Sequence, residues 1–170
     1  MLPLRRDHAS GFTLVELAAV MAITGIVLAV AVPSYSRFLQ RQQLRGAADA
    51  LMQDLRNARE TSVRTRAPVF LNFRSSGKHW CWGANRSQPC DCSGASALPA
   101  CGISQGHKRD YPDVRVDSAV DAEFEPALGQ APQHGAVAFS TAKNQSLRVE
   151  LNAMGRAQVC GPDAVGAPPC

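Results

Sequence analysis

Glu16 is the residue whose place in the chain constrains its chemistry most. It is the single charge in residues 12–32, an apolar run of 21 residues otherwise broken only by Thr13 and Thr24. A carboxylate near the edge of a bilayer core costs roughly 2.5–3.5 kcal/mol on insertion scales, and such groups are kept for a partner. Cleavage after Gly11 would create one. Phe12 would then carry a new α-amino group, four residues from Glu16 and able to pair with the carboxylate of a neighbouring copy. An apolar helix with one carboxylate beside one amine is a device for polymerising in a membrane. Two plainer readings compete. A secretory signal peptide would use Arg5 and Arg6 as its positive start and Ala29-Val30-Ala31 as its cleavage pattern, but this run exceeds the roughly 7–15 apolar residues usual there. A simple anchor needs only the length, since about 20 apolar residues cross a bilayer core. Neither gives Glu16 a task.

The six cysteines (Cys81, Cys90, Cys92, Cys101, Cys160 and Cys170) all follow the apolar run. Arg5 and Arg6 hold the short N-terminus in the cytoplasm, which places the remainder in the periplasm, where disulfides persist. Six cysteines fit three bridges, with 15 possible pairings. The tail after Cys160 is short and rich in Gly and Pro, so Cys160–Cys170 is the first candidate pair, with the other four pairing among themselves. Zinc is the rival reading. Its structural sites use C-x2–4-C spacing, whereas these four read C-x8-C-x-C-x8-C. The four histidines (His8, His79, His107 and His134) are scattered, and no nucleophile, metal or cofactor pattern is present. The expectation is a protein without catalysis and without a cofactor.

Charge is modest overall and uneven along the chain. The whole sequence carries +4, and about +3 remains beyond residue 11. Nine basic residues face three acids between Arg41 and Arg86, while six acids and one arginine lie between Asp110 and Glu125. That asymmetry suits packing against a neighbouring subunit, or steering of an anionic partner.

Periodicity divides the chain into a leader (1–11), a long helix (12–66) and a β-rich, disulfide-stapled domain (67–170). Residues 12–32 would be transmembrane, and 34–66 would lie on a sheet. Leu44, Ala47, Ala48, Leu51, Leu55, Ala58 and Ser62 recur at three- and four-residue steps. Pro33 removes a hydrogen bond inside the helix, so a kink is expected, and Ala67-Pro68 ends it. Beyond that, Val69–Phe73 and His79–Trp82 read as a hairpin. Residues 83–113 read as a stapled loop. Val114–Val116, Ala136–Phe139, Leu147–Leu151 and Arg156–Cys160 read as further strands. In Leu147–Leu151 apolar and charged residues alternate, as on a sheet covered on one face. The fold class is α+β: a long N-terminal transmembrane helix packed on an antiparallel sheet.

Gly11-Phe12-Thr13-Leu14-Val15-Glu16 resembles the cleavage and methylation motif of type IV prepilins and type II secretion pseudopilins. The resemblance implies that a prepilin peptidase cuts between Gly11 and Phe12 and methylates Phe12. It also implies that Glu16 acts in assembly with other pilins, and that the chain sits in the bacterial inner membrane before entering a filament. The globular half is similar to the GspH/FimT minor pilins, through Ala58-Arg59, Ser62, Trp80-x-Trp82-Gly83 and Gly155-Arg156-x-x-x-Cys160. Pro33 looks like type IV pilus members, for which the implied roles are twitching and DNA uptake. A secretion pseudopilin is the alternative. Some members take part in natural transformation, and there the resemblance implies that a Gly-Arg-x-Arg motif contacts DNA. Arg156 matches its first arginine, and Gln158 replaces the second. Arg148, Arg156 and Lys143 are the expected DNA-contacting residues, with Glu150 expected opposite Arg156.

Overall fold

Helix formation dominates the first third of the chain. The computed structural model describes residues 13–77, 79–162 and 167–170. Helix α1 (Leu14–Thr65) runs through the boundary between two units, one ending at Arg37 and the other spanning Phe38–Cys170. In the first unit Thr13 starts the helix: its hydroxyl oxygen accepts the Glu16 amide at 3.2 Å, satisfying one of the donors a helix N-terminus leaves unpaired. Thr24 hides its hydroxyl by donating to the Val20 carbonyl at 2.8 Å. Every described residue from Thr13 to Val32 is exposed, with Leu14 at 84%.

The second unit is built on the other half of α1. Leu44, Ala47, Ala48, Leu51, Leu55, Ala58, Thr61 and Ser62 are buried along one stripe. Each of the three leucines contributes roughly 1.5–3 kcal/mol by leaving water. Proline alone does not end the helix. Arg66 adopts a left-handed conformation (φ 52°) and the Ala67 amide donates back to the Ser62 carbonyl at 3.3 Å, closing the last turn before Pro68.

Eight strands follow: β1 (Val69–Ser76), β2 (His79–Arg86), β3 (Ser104–His107), β4 (Val114–Ser118), β5 (Ala122–Phe124), β6 (Ala136–Thr141), β7 (Ser146–Leu151) and β8 (Ala157–Cys160). They form two antiparallel four-stranded sheets, ordered β3-β2-β1-β5 and β4-β6-β7-β8. The single sheet expected from the alternation is therefore two. The first hairpin is longer than its apolar core, because the β1–β2 ladder runs from Val69↔Arg86 to Ser76↔His79. The stretch read as a stapled loop also contains β3. Its Gly106 is demanded by packing, since a Cβ there would lie 2.2 Å from Cζ2 of Trp82.

Aromatic packing joins sheet and helix. Trp80 and Trp82 stack at 5.5 Å, and both reach Tyr111 and Phe139. The fully buried Trp82 donates its indole N–H to Asp54 Oδ2 at 2.7 Å, fastening β2 to α1, while Trp80 donates to the Val114 carbonyl at 3.0 Å.

Three disulfides close loops: Cys81–Cys92, Cys90–Cys101 and Cys160–Cys170. Inside the first two, Asp91 organises the chain between the cysteines. Its carboxylate accepts from the Ser93 hydroxyl and from the amides of Ser93, Ala95 and Ser96, at 2.7–3.0 Å. Those bonds hold its pKa far below the ordinary carboxylate range.

Candidate functional site

The first candidate is the exposed apolar part of α1. Gly11 and Phe12 lie outside the described residues. Glu16 sits in the first turn, with its backbone amide bound by Thr13 and its side chain exposed. A negative charge in a first turn is favoured by the helix dipole. Pro33 lies within the helix, eighteen residues after Val15 and directly after Val32. This helix is long and apolar enough to cross a membrane.

The second candidate lies in the globular unit and is not contiguous in sequence. A cleft of about 920 Å³ is bounded by the α1 residues Arg56, Arg59, Glu60, Val63 and Arg64. Its other walls are Ala127 and Leu128 before β6, and Gly155, Arg156 and Ala157 at the β7–β8 turn. Helical spacing puts residues 56, 60 and 64 in line, one turn apart. Arg59 is the brace: its Nε donates to the Gly129 carbonyl at 3.0 Å and its Nη2 to that of Leu128 at 3.4 Å. Ser62 adds a bond from its hydroxyl to the Glu125 carbonyl at 3.2 Å.

Gly155 lets the third wall approach. Its φ is +72°, and a Cβ would lie 2.0 Å from the Gly129 carbonyl oxygen and 3.0 Å from Arg59 Nε. Asn152 shapes the same turn, its Oδ1 accepting the amides of Met154 (3.1 Å) and Arg156 (3.0 Å). The turn consumes Arg156, so β8 begins at Ala157, and Glu150 faces Gln158 rather than Arg156. Gln158 donates to Glu150 at 3.3 Å, and Glu150 pairs with Arg148 at 3.7 Å. The expected Glu150–Arg156 pairing is therefore corrected by a register that this Asn-capped turn sets.

Of the three expected DNA-contacting residues, only Arg156 lines the arginine cleft; Arg148 lies on β7 and Lys143 before it. The cleft's other arginines, Arg56, Arg59 and Arg64, all come from α1. Arg56, Arg64 and Arg156 are exposed and make no ion pair with the described residues.

A second pocket of about 460 Å³ is lined by Arg74, His79, Trp80, His107, Lys108 and Arg109 among others. Its cations are already spent. Arg74 lies 4.0 Å from Asp91 and 3.9 Å from Asp121, and Arg109 lies 3.6 Å from Asp110. Lys108 donates to the carbonyls of Pro112 and Val114, and burial lowers its pKa. The arginine cleft is thus the stronger anion site.

Glu150, Cys160 and Cys170 cluster closely enough to suggest a metal. Both sulfurs, however, are joined in a disulfide and offer no thiolate. Two of the described histidines bind amide oxygens: His107 meets Gln105 Oε1 at 3.2 Å and His134 the Ala131 carbonyl at 2.9 Å.

Comparison with known proteins adds matches to two family models, two curated relatives and one solved structure. Residues 6–32 match the prokaryotic N-terminal methylation motif, and residues 47–155 match the family model described as type II transport protein GspH. Two curated fimbrial proteins of Pseudomonas aeruginosa are each 31% identical over 88 residues, 52% of this chain. The chain spans 56% of the length of those relatives. Among solved structures, the type IV minor pilin FimU of Pseudomonas aeruginosa strain PAO1 superposes with a TM-score of 0.50 at 21% identity. That match covers 74% of this chain and 97% of FimU and speaks to the fold.

Proposed function

This chain belongs to the GspH family of type IV minor pilins and pseudopilins, and from that membership we propose that it is a minor subunit of a type IV pilus. It is inserted in the inner membrane by the first part of α1, with its globular unit in the periplasm. Prepilin peptidase cuts between Gly11 and Phe12 and methylates Phe12. The subunit then enters the filament and acts through contact rather than turnover.

The observation that carries this reading is the methylation motif over residues 6–32, continued by a helix whose apolar side chains are exposed around one carboxylate. A fully exposed apolar helix has no stable place in water. Pairing Glu16 with the Phe12 amine of a neighbour would set register and reduce the cost of a carboxylate in the membrane. Pro33 and the fimbrial relatives favour a pilus. The GspH description supports the second reading, a minor pseudopilin of a type II secretion system. DNA capture retains only Arg156 of its three expected residues in one cleft.

Processing is tested by intact-mass analysis of the membrane-extracted protein, made with and without prepilin peptidase. The expected mass begins at N-methylated Phe12 and depends on the peptidase. Retention of residues 1–11, or a start at Val32, would overturn the reading.

A further inference from the structure

We propose that the arginine cleft is a docking site for an acidic, leucine-like apolar segment of a neighbouring filament subunit. The source of the segment rests on the filament reading; the chemistry of the cleft does not. Four arginines against Glu60 leave a charge excess of +3. Arg59 is held by two main-chain carbonyls and acts as scaffold, which leaves Arg56, Arg64 and Arg156 to bind. Their planar guanidinium forks match carboxylates two donors at a time.

The apolar part of the cleft selects among anions. Val63 is 44% exposed and Leu128 is 68% exposed on its rim, beside Ala127 and Ala157. A phosphate backbone gains nothing from these side chains. The cleft also contains no aromatic residue, so it lacks the stacking surface that single-stranded nucleic acid uses. A segment carrying carboxylates next to an aliphatic side chain satisfies both halves. The chain itself carries such a sequence between Asp110 and Glu125, where Val120 is exposed among acids, so a segment of this type is available on a second copy of this chain.

The walls are preformed. Gly155, Gly129 and Arg59 lock α1, the 125–130 loop and the β7–β8 turn together. Little ordering is then needed on binding, which favours affinity.

The test uses the full chain in detergent and fluorescence anisotropy with four probes. These are a short labelled peptide of glutamates and leucines, the same peptide with every glutamate changed to glutamine, the same with every leucine changed to serine, and a DNA duplex. The glutamate–leucine peptide should bind best, with about fivefold loss or more for either altered peptide and for Arg64→Gln with Arg156→Gln. Glu60→Gln should tighten binding, a gain that misfolding cannot imitate. Arg148→Gln, outside the cleft, should leave binding unchanged. Equal binding of the glutamate and glutamine peptides overturns the proposal. So does DNA that binds more tightly and displaces the peptide, which would assign the cleft to nucleic acid. Neither failure touches peptidase processing.

Discussion

Replacing Gly155 by alanine is expected to cost far more than the methyl group suggests. Two separate terms add. A non-glycine residue at φ +72° pays roughly 1–2 kcal/mol for the left-handed backbone. The new Cβ would also lie 2.0 Å from the Gly129 carbonyl oxygen, a backbone atom that cannot rotate away, so the turn or the 125–130 loop must shift. A forced shift of that kind costs about 1–3 kcal/mol. The sum, about 2–5 kcal/mol, corresponds to a fall in Tm of roughly 4–20 °C for a chain of this size. Gly94→Ala is the internal control. Its φ is +69°, yet nothing lies within 4 Å of the added Cβ, so only the backbone term applies. Thermal melting followed by near-ultraviolet circular dichroism, which reads the Trp80–Trp82 stack, measures both variants on the full chain in detergent. If Gly155→Ala melts no lower than Gly94→Ala, the contact between turn and loop is not tight and the cleft is not preformed.

Other consequences follow from the same packing. Asp54→Ala leaves the buried Trp82 indole N–H without its acceptor and should cost about 1–3 kcal/mol in denaturant unfolding. Cys160→Ser with Cys170→Ser opens a bridge of sequence separation 10 and should lower stability by about 3 kcal/mol, read in the same way. Asp91 supplies a pH test. Its folded pKa is depressed, so its contribution is fully present above the unfolded value near about 4 and is lost only as pH falls through the lower folded value. Hydrogen exchange of the Ser93, Ala95 and Ser96 amides, corrected for intrinsic rates, should therefore show equal protection at pH 7 and about pH 4.5. Loss of protection in that window would contradict the depressed pKa.

Legibility in sequence depended on how local each feature is. The α1 stripe is read from neighbours three and four residues apart, and Leu147–Leu151 from neighbours two apart. Both periods are present in the chain itself. By contrast, β3 reads Ser104-Gln105-Gly106-His107, polar and glycine-containing, and is held by its ladder to β2 and by the space Trp82 takes. β5 is only three residues long, which is too short to show a period. The division into two sheets depends on which strands pair, and strand pairing is not local. The arginine cleft was hidden for the same reason. Arg56, Arg59 and Arg64 look like solvated helix charges until Gly155 brings Arg156 across from the end of the fold. Arg156 itself was read as a strand residue because an Asn152-capped turn does not announce how many residues it consumes. Six cysteines permit many pairings, and only the folded chain shows that the bridges from Cys81 and Cys90 interleave.

The central claim is that this chain becomes a filament subunit through its processed N-terminus and Glu16. The most direct measurement compares sheared filaments from cells producing the native chain with filaments from cells producing Glu16→Ala, each probed for the subunit and for its mature mass. The native chain should appear in filaments beginning at methylated Phe12. The variant, whose scissile bond is intact, should be cut in the membrane yet be depleted from filaments. A cleaved Glu16→Ala subunit present at native levels would contradict the account.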